Sequence, residues 1–148
     1  MANKHTPTEI GAWVTTMAQH EGAPIALRVR PNANTPANRD LYSVRVAVVH
    51  ELSNVTSNGL PEAEYNNQLA EFDDEVHRCL EGDGDGLVVL VETFSGRRIY
   101  FSYVRSDANV DGRLEKLKAR FPQHTLRSKA SDDGDWEAYE HYRKLFPW

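Results

Sequence analysis

The sequence predicts an α+β fold, because segments with the two-residue apolar period of strands alternate with segments that have the period of helices. The clearest strand covers residues 41–49, where every second position is valine in its central part, and the clearest helix covers residues 62–80. With 148 residues and 40% hydrophobic content, the chain is long enough for one compact domain and too short for two ordinary ones. We therefore expect a single domain over residues 1–148.

The N-terminal part of the chain predicts a β-hairpin over about residues 12–30. Two strand-like segments, residues 13–17 and 25–30, flank a short stretch that contains the turn-forming residues Gly and Pro. The following Asn-, Pro- and Ala-rich segment, residues 31–39, is predicted to be a loop. We expect the hairpin to be an addition to the central sheet, joined at a position that the sequence leaves open.

Two helices are predicted from apolar residues that recur at steps of three and four and therefore share one face of each helix. In the first helix Pro61 suits the opening turn, and the glycines within residues 82–86 end it. The second helix is expected to begin with Asp107 as its N-cap and to end at Pro122. The apolar stripes are Tyr65, Leu69, Phe72, Val76 and Cys79 in the first helix, and Val110, Leu114, Leu117 and Phe121 in the second.

Three further strands are predicted after the first helix. Residues 87–91 form a continuous apolar run, which predicts a strand buried on both faces. A turn at Ser95 and Gly96 connects this run to a strand over residues 98–104, and residues 124–127 predict the last strand.

The order of the elements favours one architecture. From residue 41 onward it is strand, helix, strand, strand, helix, strand, the order of the split βαβ or ferredoxin-like sandwich. In that fold both helices pack on one face of an antiparallel sheet. We expect this core over about residues 41–128, followed by a C-terminal helix over about residues 135–146.

Composition and charge exclude several classes of protein. The net charge of −5 argues against general coating of DNA or RNA, and the single cysteine, Cys79, excludes an intrachain disulfide or a cysteine zinc site. Residues 1–7 lack the apolar core of a signal peptide, and no apolar run approaches the roughly 20 residues that span a bilayer. We expect a soluble, cytoplasmic protein without a membrane partner.

Charge is segregated along the chain. Residues 61–86 hold nine acidic residues against Arg78 alone, whereas residues 97–129 hold nine basic residues against three acidic ones. In one interpretation the two predicted helices lie side by side and their charges compensate. In the other, the acidic helix and the Gly-Asp loop after it face outward and bind a basic partner protein. The candidate partner-binding acids are Glu71, Asp74, Glu75, Glu81, Asp83 and Asp85.

The C-terminal segment adds two aromatic candidates. Trp136 and Tyr139 lie about one helical turn apart in the predicted C-terminal helix. Packing of this helix onto the domain is one expectation. The alternative is an exposed aromatic ridge that contributes to partner binding, because Trp and Tyr are favoured anchors at interfaces.

No residue pattern predicts a catalytic, metal or cofactor site. Residues 81–92 match the ligand spacing of a calcium loop, but the exit predicts a strand, which would carry Glu92 far from Asp85. Cys79 lies on the apolar stripe, away from His77, and is expected to pack in the core. The six histidines have no zinc-site spacing, so we expect no cofactor, no metal and no enzymatic activity.

RNA binding is a further alternative, because the RNA-recognition motif has the same element order. Its third strand carries aromatic rings that stack on bases, and here the matching strand offers Tyr100, Phe101 and Tyr103. The two glycines of that signature are missing. Phe101 and Tyr103 lie on the same face of the predicted strand as Ile99, which favours a place in the core for these two rings.

Three groups of landmarks, taken together, resemble the domain of unknown function 695 family over roughly residues 13–147. They are Gly59-Leu60-Pro61, then Leu87-Val-Val-Leu-Val91 with Gly96-Arg97-Arg98 and Tyr100-Phe101-Ser-Tyr103, and finally Asp132, Asp135-Trp136, Tyr139 and Phe146-Pro147. The family is similar to the bacterial regulator of ribonuclease E activity, type B. That similarity implies a ferredoxin-like fold and a protein that inhibits a nuclease, with no catalytic residues to carry over.

These observations predict a non-catalytic protein-binding module that regulates or inhibits a partner enzyme, in the manner of a nuclease inhibitor or a toxin-immunity protein. The alternative from another class is a small-molecule-binding or enzymatic domain with a pocket between the sheet and the N-terminal extension. Convergence of His50, His124 or carboxylates in such a pocket would favour it. An RNA-binding ferredoxin-like domain is the second alternative.

Overall fold

The computed structural model describes residues 13–148, so residue 12 of the expected hairpin lies outside the described residues. This part of the chain is a mixed α+β structure with a six-stranded antiparallel sheet and five helices. The strands are β1 Val14–His20, β2 Ala23–Val29, β3 Val44–Glu51, β4 Gly86–Phe94, β5 Arg97–Val104 and β6 Thr125–Asp132. The helices are α1 Pro36–Leu41, α2 Ala63–Gln68, α3 Ala70–Glu81, α4 Val110–Arg120 and α5 Glu137–Leu145.

The sheet has the strand order β1-β2-β4-β5-β3-β6, and every neighbouring pair is antiparallel. The predicted N-terminal hairpin is present as β1 and β2. It joins the sheet through β2, whose residues Ala26 to Val29 pair with Thr93 to Leu90 of β4. The position that the sequence left open is therefore the outer edge of β4.

Each face of the sheet carries its own hydrophobic core. On one face α3 and α4 contribute Phe72, Val76, Leu114 and Leu117, which pack with residues of the sheet. On the other face the residues around α5, including Trp136 and Tyr139, pack on Ile25, Leu27 and Val29 of β2. The result is three layers, with the sheet between α3 and α4 on one side and α5 on the other.

Strand β4 serves both cores, as its continuous apolar run predicts. Val88 and Val91 contribute to the core under α3 and α4, whereas Leu87, Val89 and Leu90 contribute to the other core. A β-bulge between Val88 and Leu90 shifts the register against β5. The extra residue lets two neighbours in sequence face the same side, which strict alternation would forbid.

Several predicted boundaries differ from the structure. The predicted helix 62–80 is divided at Leu69 into α2 and α3, and α2 contains no buried residue to hold it in line with α3. The predicted loop 31–39 contains the start of α1, because the Thr35 hydroxyl accepts a hydrogen bond from the Asn38 amide and Pro36 suits the first turn.

The N-cap of α4 is also different from the prediction. It is Asn109, whose side-chain oxygen accepts a hydrogen bond from the Gly112 amide at 3.1 Å. Asp107, the predicted cap, lies two residues earlier and pairs with Arg105 at 3.4 Å. Both residue types are good N-caps, so composition alone does not distinguish them.

Trp136 fixes the C-terminal segment to the sheet. Its side chain is fully buried, its indole Nε1 donates to the Tyr42 carbonyl at 2.8 Å, and its ring stacks on Tyr103 with a centroid distance of 4.1 Å. Tyr139 is buried as well and donates its hydroxyl hydrogen to the Arg30 carbonyl at 2.6 Å. The packing expectation is therefore confirmed, and the exposed aromatic ridge is not formed by these two residues.

We predict that Trp136→Ala lowers the free energy of unfolding by about 3–5 kcal/mol, because it removes a buried ring, a stacking contact and a hydrogen bond. Leu145→Ala, at the last residue of α5 and 53% exposed, is the control and should change it by less than about 0.5 kcal/mol. Chemical denaturation measures both. Equal losses would contradict the anchoring role of Trp136.

Candidate functional site

The outer side of α2 and α3 carries exposed acidic residues. Glu71 and Asp74 lie three positions apart in α3 and are exposed, and Glu62 and Glu64 are exposed at the start of α2. No described cation forms an ion pair with any of these four carboxylates. We call Glu62, Glu64, Glu71 and Asp74 the acidic surface.

Two of the other candidate acids are neutralised by α4. Glu75 accepts from Arg120 at 3.3 Å and from Arg78 of its own helix at 2.6 Å. Asp85 pairs with Arg113 at 2.9 Å. The interpretation that the acidic and basic segments compensate each other therefore holds for these two residues. Asp83 is exposed in the turn between α3 and β4.

Glu81 and Asp73 face inward and bind the N-terminal hairpin. Asp73 pairs with Arg28 at 2.8 Å, and Glu81 pairs with Arg30 at 3.2 Å. We call these two ion pairs the α3–β2 clamp. The Glu81 carboxylate also accepts from the Val88 amide at 3.1 Å. This placement corrects the assignment of Glu81 to partner binding, because its carboxylate is used inside the domain.

The electrostatics of Asp73 follow from its donors. Burial alone would raise the pKa of this carboxyl, but the ion pair and hydrogen bond from Arg28 outweigh burial, helped by a hydrogen bond from Tyr100. The net pKa of Asp73 is lowered. The group is therefore an ionised acceptor at neutral pH and is unsuited to act as a general acid.

A second polar group that the sequence analysis missed surrounds Arg98. This residue is only 9% exposed and lies in β5 between Thr93 of β4 and His50 of β3. Its Nε donates to the Thr93 hydroxyl at 3.0 Å, and its Nη2 donates to the Asn66 side-chain oxygen at 2.7 Å.

Arg98 lines a polar pocket of about 310 Å³ at the junction of α2 and α3. We call it the Arg98 pocket; its lining residues are Arg28, Asn66, Asn67, Leu69, Ala70, Asp73 and Arg98. The sequence could have indicated this residue through the two-residue period of the strand. Arg98 is on the same face of β5 as Tyr100 and Ser102, so it faces inward, whereas Arg97 faces solvent.

His50 and His124 do come together, but not beside the N-terminal extension. Their ring centroids are 5.0 Å apart, and both rings lie against Phe72 on the α3 side of the sheet. Neither His50 nitrogen has a hydrogen-bond partner within residues 13–148. Burial, with smaller contributions from His124 and Arg98, lowers the pKa of His50 to about 4. The ring is neutral at pH 7, in an apolar environment.

The aromatic residues of β5 are engaged inside the domain. Phe101 packs on Tyr142 with a centroid distance of 5.4 Å, and Tyr103 lies under Trp136. Tyr100 faces the opposite side and donates its hydroxyl hydrogen to Asp73 at 2.7 Å. An apolar cleft of about 190 Å³ remains between this face and α5. Phe101 and Tyr103 therefore pack against the C-terminal segment, whereas Tyr100 packs against α3, so the three aromatic rings do not share one face of the sheet.

The surroundings of Cys79 and of the Gly-Asp turn after α3 agree with a structural role for both. Burial raises the pKa of the Cys79 thiol, and His77 contacts Asp73 and Trp13 instead of the sulfur. Strand β4 begins at Gly86, so a strand follows the Gly-Asp turn directly, as the sequence predicts. Among residues 13–148 no group of three or more His, Cys, Asp or Glu side chains is placed to hold a metal ion.

The architecture and these sites define a mixed α+β protein with a six-stranded antiparallel sheet covered on both faces. The chain belongs to the family of unknown function DUF695, whose family model matches residues 11–142. The family named from the sequence landmarks is thereby confirmed. No match to this chain was found among curated proteins or among solved structures. In the described part of the chain, no helix has the length and apolar character needed to cross a membrane.

We predict that His50 makes stability depend on pH. Because the pKa of His50 is about 4 in the folded protein and about 6.5 ordinarily, the unfolded chain takes up the proton first. The contribution of His50 to the free energy of unfolding is therefore fully present above pH 6.5. It decreases by up to about 3 kcal/mol as the pH drops toward 4.

His50→Leu should remove this part of the loss, whereas His141→Leu, at an exposed position, should keep it. The measurement is the free energy of unfolding at pH 7 and pH 4.5 for each protein. An equal pH dependence in wild type and His50→Leu would show that His50 does not carry it.

Proposed function

We propose that this protein is a non-catalytic binding module that regulates or inhibits a partner enzyme, and that it binds a basic surface of that partner through the acidic surface of α2 and α3. The observation that carries the proposal is the division of the acidic residues. Asp73, Glu75, Glu81 and Asp85 are each used in internal ion pairs. The four carboxylates of the acidic surface have no cation from the described residues.

The acidic surface has the physical properties that such binding requires. Glu71 and Asp74, at positions i and i+3, project from neighbouring points on α3, so their potentials add. An uncompensated negative surface attracts a basic partner over a distance set by the ionic strength and raises the association rate. It also repels acidic proteins and nucleic acids, which contributes to specificity.

The arrangement of the sheet supports a ferredoxin-like description of the core. The order β4-β5-β3-β6 and the packing of α3 and α4 on one face agree with the split βαβ pattern. We include in the proposal a relation to the bacterial regulator of ribonuclease E activity, type B, a protein inhibitor of a nuclease. A toxin-immunity role in the cytoplasm is compatible with the same surface. Because one fold hosts many functions, the surface carries more weight than the fold.

The test is partner capture followed by affinity measurement with charge variants. Tagged protein is incubated with lysate of the native host at low salt, and the stoichiometric partner is identified, purified and titrated. Glu71→Lys/Asp74→Lys should weaken binding at least tenfold, because two attractive charges become repulsive. Raising the salt concentration should weaken wild-type binding and reduce the difference between the proteins.

Asp40→Lys/Asp135→Lys is the matched control, since it changes the net charge equally at two other exposed positions. This variant should retain most of the affinity. Equal affinity of the α3 variant and wild type, or equal loss in both variants, would contradict binding through the acidic surface.

A further inference from the structure

We propose that the Arg98 pocket binds a small oxyanion of the phosphate or carboxylate class. The first argument is the charge state of Arg98. The residue is only 9% exposed, carries a positive charge, and has only the neutral acceptors Thr93 and Asn66 as hydrogen-bond partners. None of the carboxylates in residues 13–148 forms an ion pair with it.

The lack of a carboxylate partner distinguishes Arg98 from the neighbouring arginines. Arg28 and Arg30 lie on the same face of the sheet, and each has a carboxylate from α3. A buried charge without a counterion costs several kcal/mol, so buried arginines are normally paired. Arg98 is 9% exposed, compared with 4% for Arg30, and has no carboxylate partner among the described residues. An anion from solution is the counterion that would complete the pattern.

The donors of the pocket are arranged for an oxyanion. The hydrogen bonds to Thr93 and Asn66 hold the guanidinium plane and use two of its five N–H groups, which leaves three to bind oxygen. The Asn66 side-chain oxygen accepts from Arg98, and Asn66 is itself one of the residues that line the pocket. Asn67 supplies another amide group in the lining.

The charge balance gives the sign of the ligand. Arg28 and Arg98 contribute two positive charges to the lining, and Asp73 contributes one negative charge that is already paired with Arg28. The pocket therefore has a net charge of +1, which a monoanion neutralises. The volume of about 310 Å³ leaves room for a substituent on the oxyanion. This site is distinct from the acidic surface, so either proposal can fail without the other.

The first experiment measures binding of sodium phosphate and sodium acetate by two-dimensional NMR titration of the whole protein, with chloride holding the ionic strength constant. We expect saturable chemical-shift changes at Asn66 and Arg98 with one of the two anions. The anion that binds more tightly shows whether the ligand is a phosphate or a carboxylate. Arg98→Gln should weaken binding at least tenfold, whereas Arg97→Gln, at the exposed neighbouring position, should leave it unchanged. Absence of saturable binding in both arms would overturn the proposal.

A second variant keeps the test valid if Arg98→Gln fails to fold. Asn66→Asp places a carboxylate at the position that accepts from Arg98. It should raise the thermal midpoint of unfolding, because it supplies the missing counterion, and it should weaken oxyanion binding at least tenfold. Gln68→Glu adds the same charge at an exposed position of α2 and should do neither. Unchanged anion affinity in Asn66→Asp would contradict the role of Arg98.

Discussion

The α3–β2 clamp is the interaction on which the arrangement of this molecule depends. The β1–β2 hairpin is an addition at the edge of β4 and pairs with it over only four residues on each side, Ala26–Val29 and Leu90–Thr93. Across this short junction, Asp73 and Glu81 of α3 hold Arg28 and Arg30. Because Arg30 is almost fully buried, its charge requires the Glu81 carboxylate. The clamp thus joins α3 to the added hairpin.

The clamp also determines which charges remain available at the surface. Acidic residues occupy more than one side of α3, and the two that face the sheet, Asp73 and Glu81, pair with Arg28 of β2 and with Arg30 directly after it. Glu71 and Asp74 are exposed and form no ion pair with the described residues. The same commitment leaves Arg98 without a counterion, since Asp73, the carboxylate that shares its pocket, is paired with Arg28. The acidic surface and the Arg98 pocket are therefore two consequences of one distribution of charge.

The sequence predicted what depends on local periodicity and missed what depends on distant pairing. The stripe of α3 and the doubly buried β4 follow from the spacing of apolar residues, and the N-terminal hairpin follows from its alternation. Nothing near Glu81 in sequence indicates Arg30, which lies 51 positions away, so a structural carboxylate looked like a surface one. Trp136 likewise depends on the Tyr42 carbonyl, 94 positions away. The break at Leu69 follows from the absence of buried side chains in α2, and the spacing of apolar residues in the sequence does not show which of them are buried.

The most direct test of this account compares two charge-neutralising variants in the same helix. Glu81→Gln should lower the free energy of unfolding by about 2–4 kcal/mol, because it leaves the buried Arg30 without its counterion. Glu71→Gln should change it by less than about 0.5 kcal/mol, because that side chain is exposed. Urea denaturation at pH 7 gives both values. Equal effects of the two substitutions would contradict the division of α3 into a clamp and an outward acidic surface.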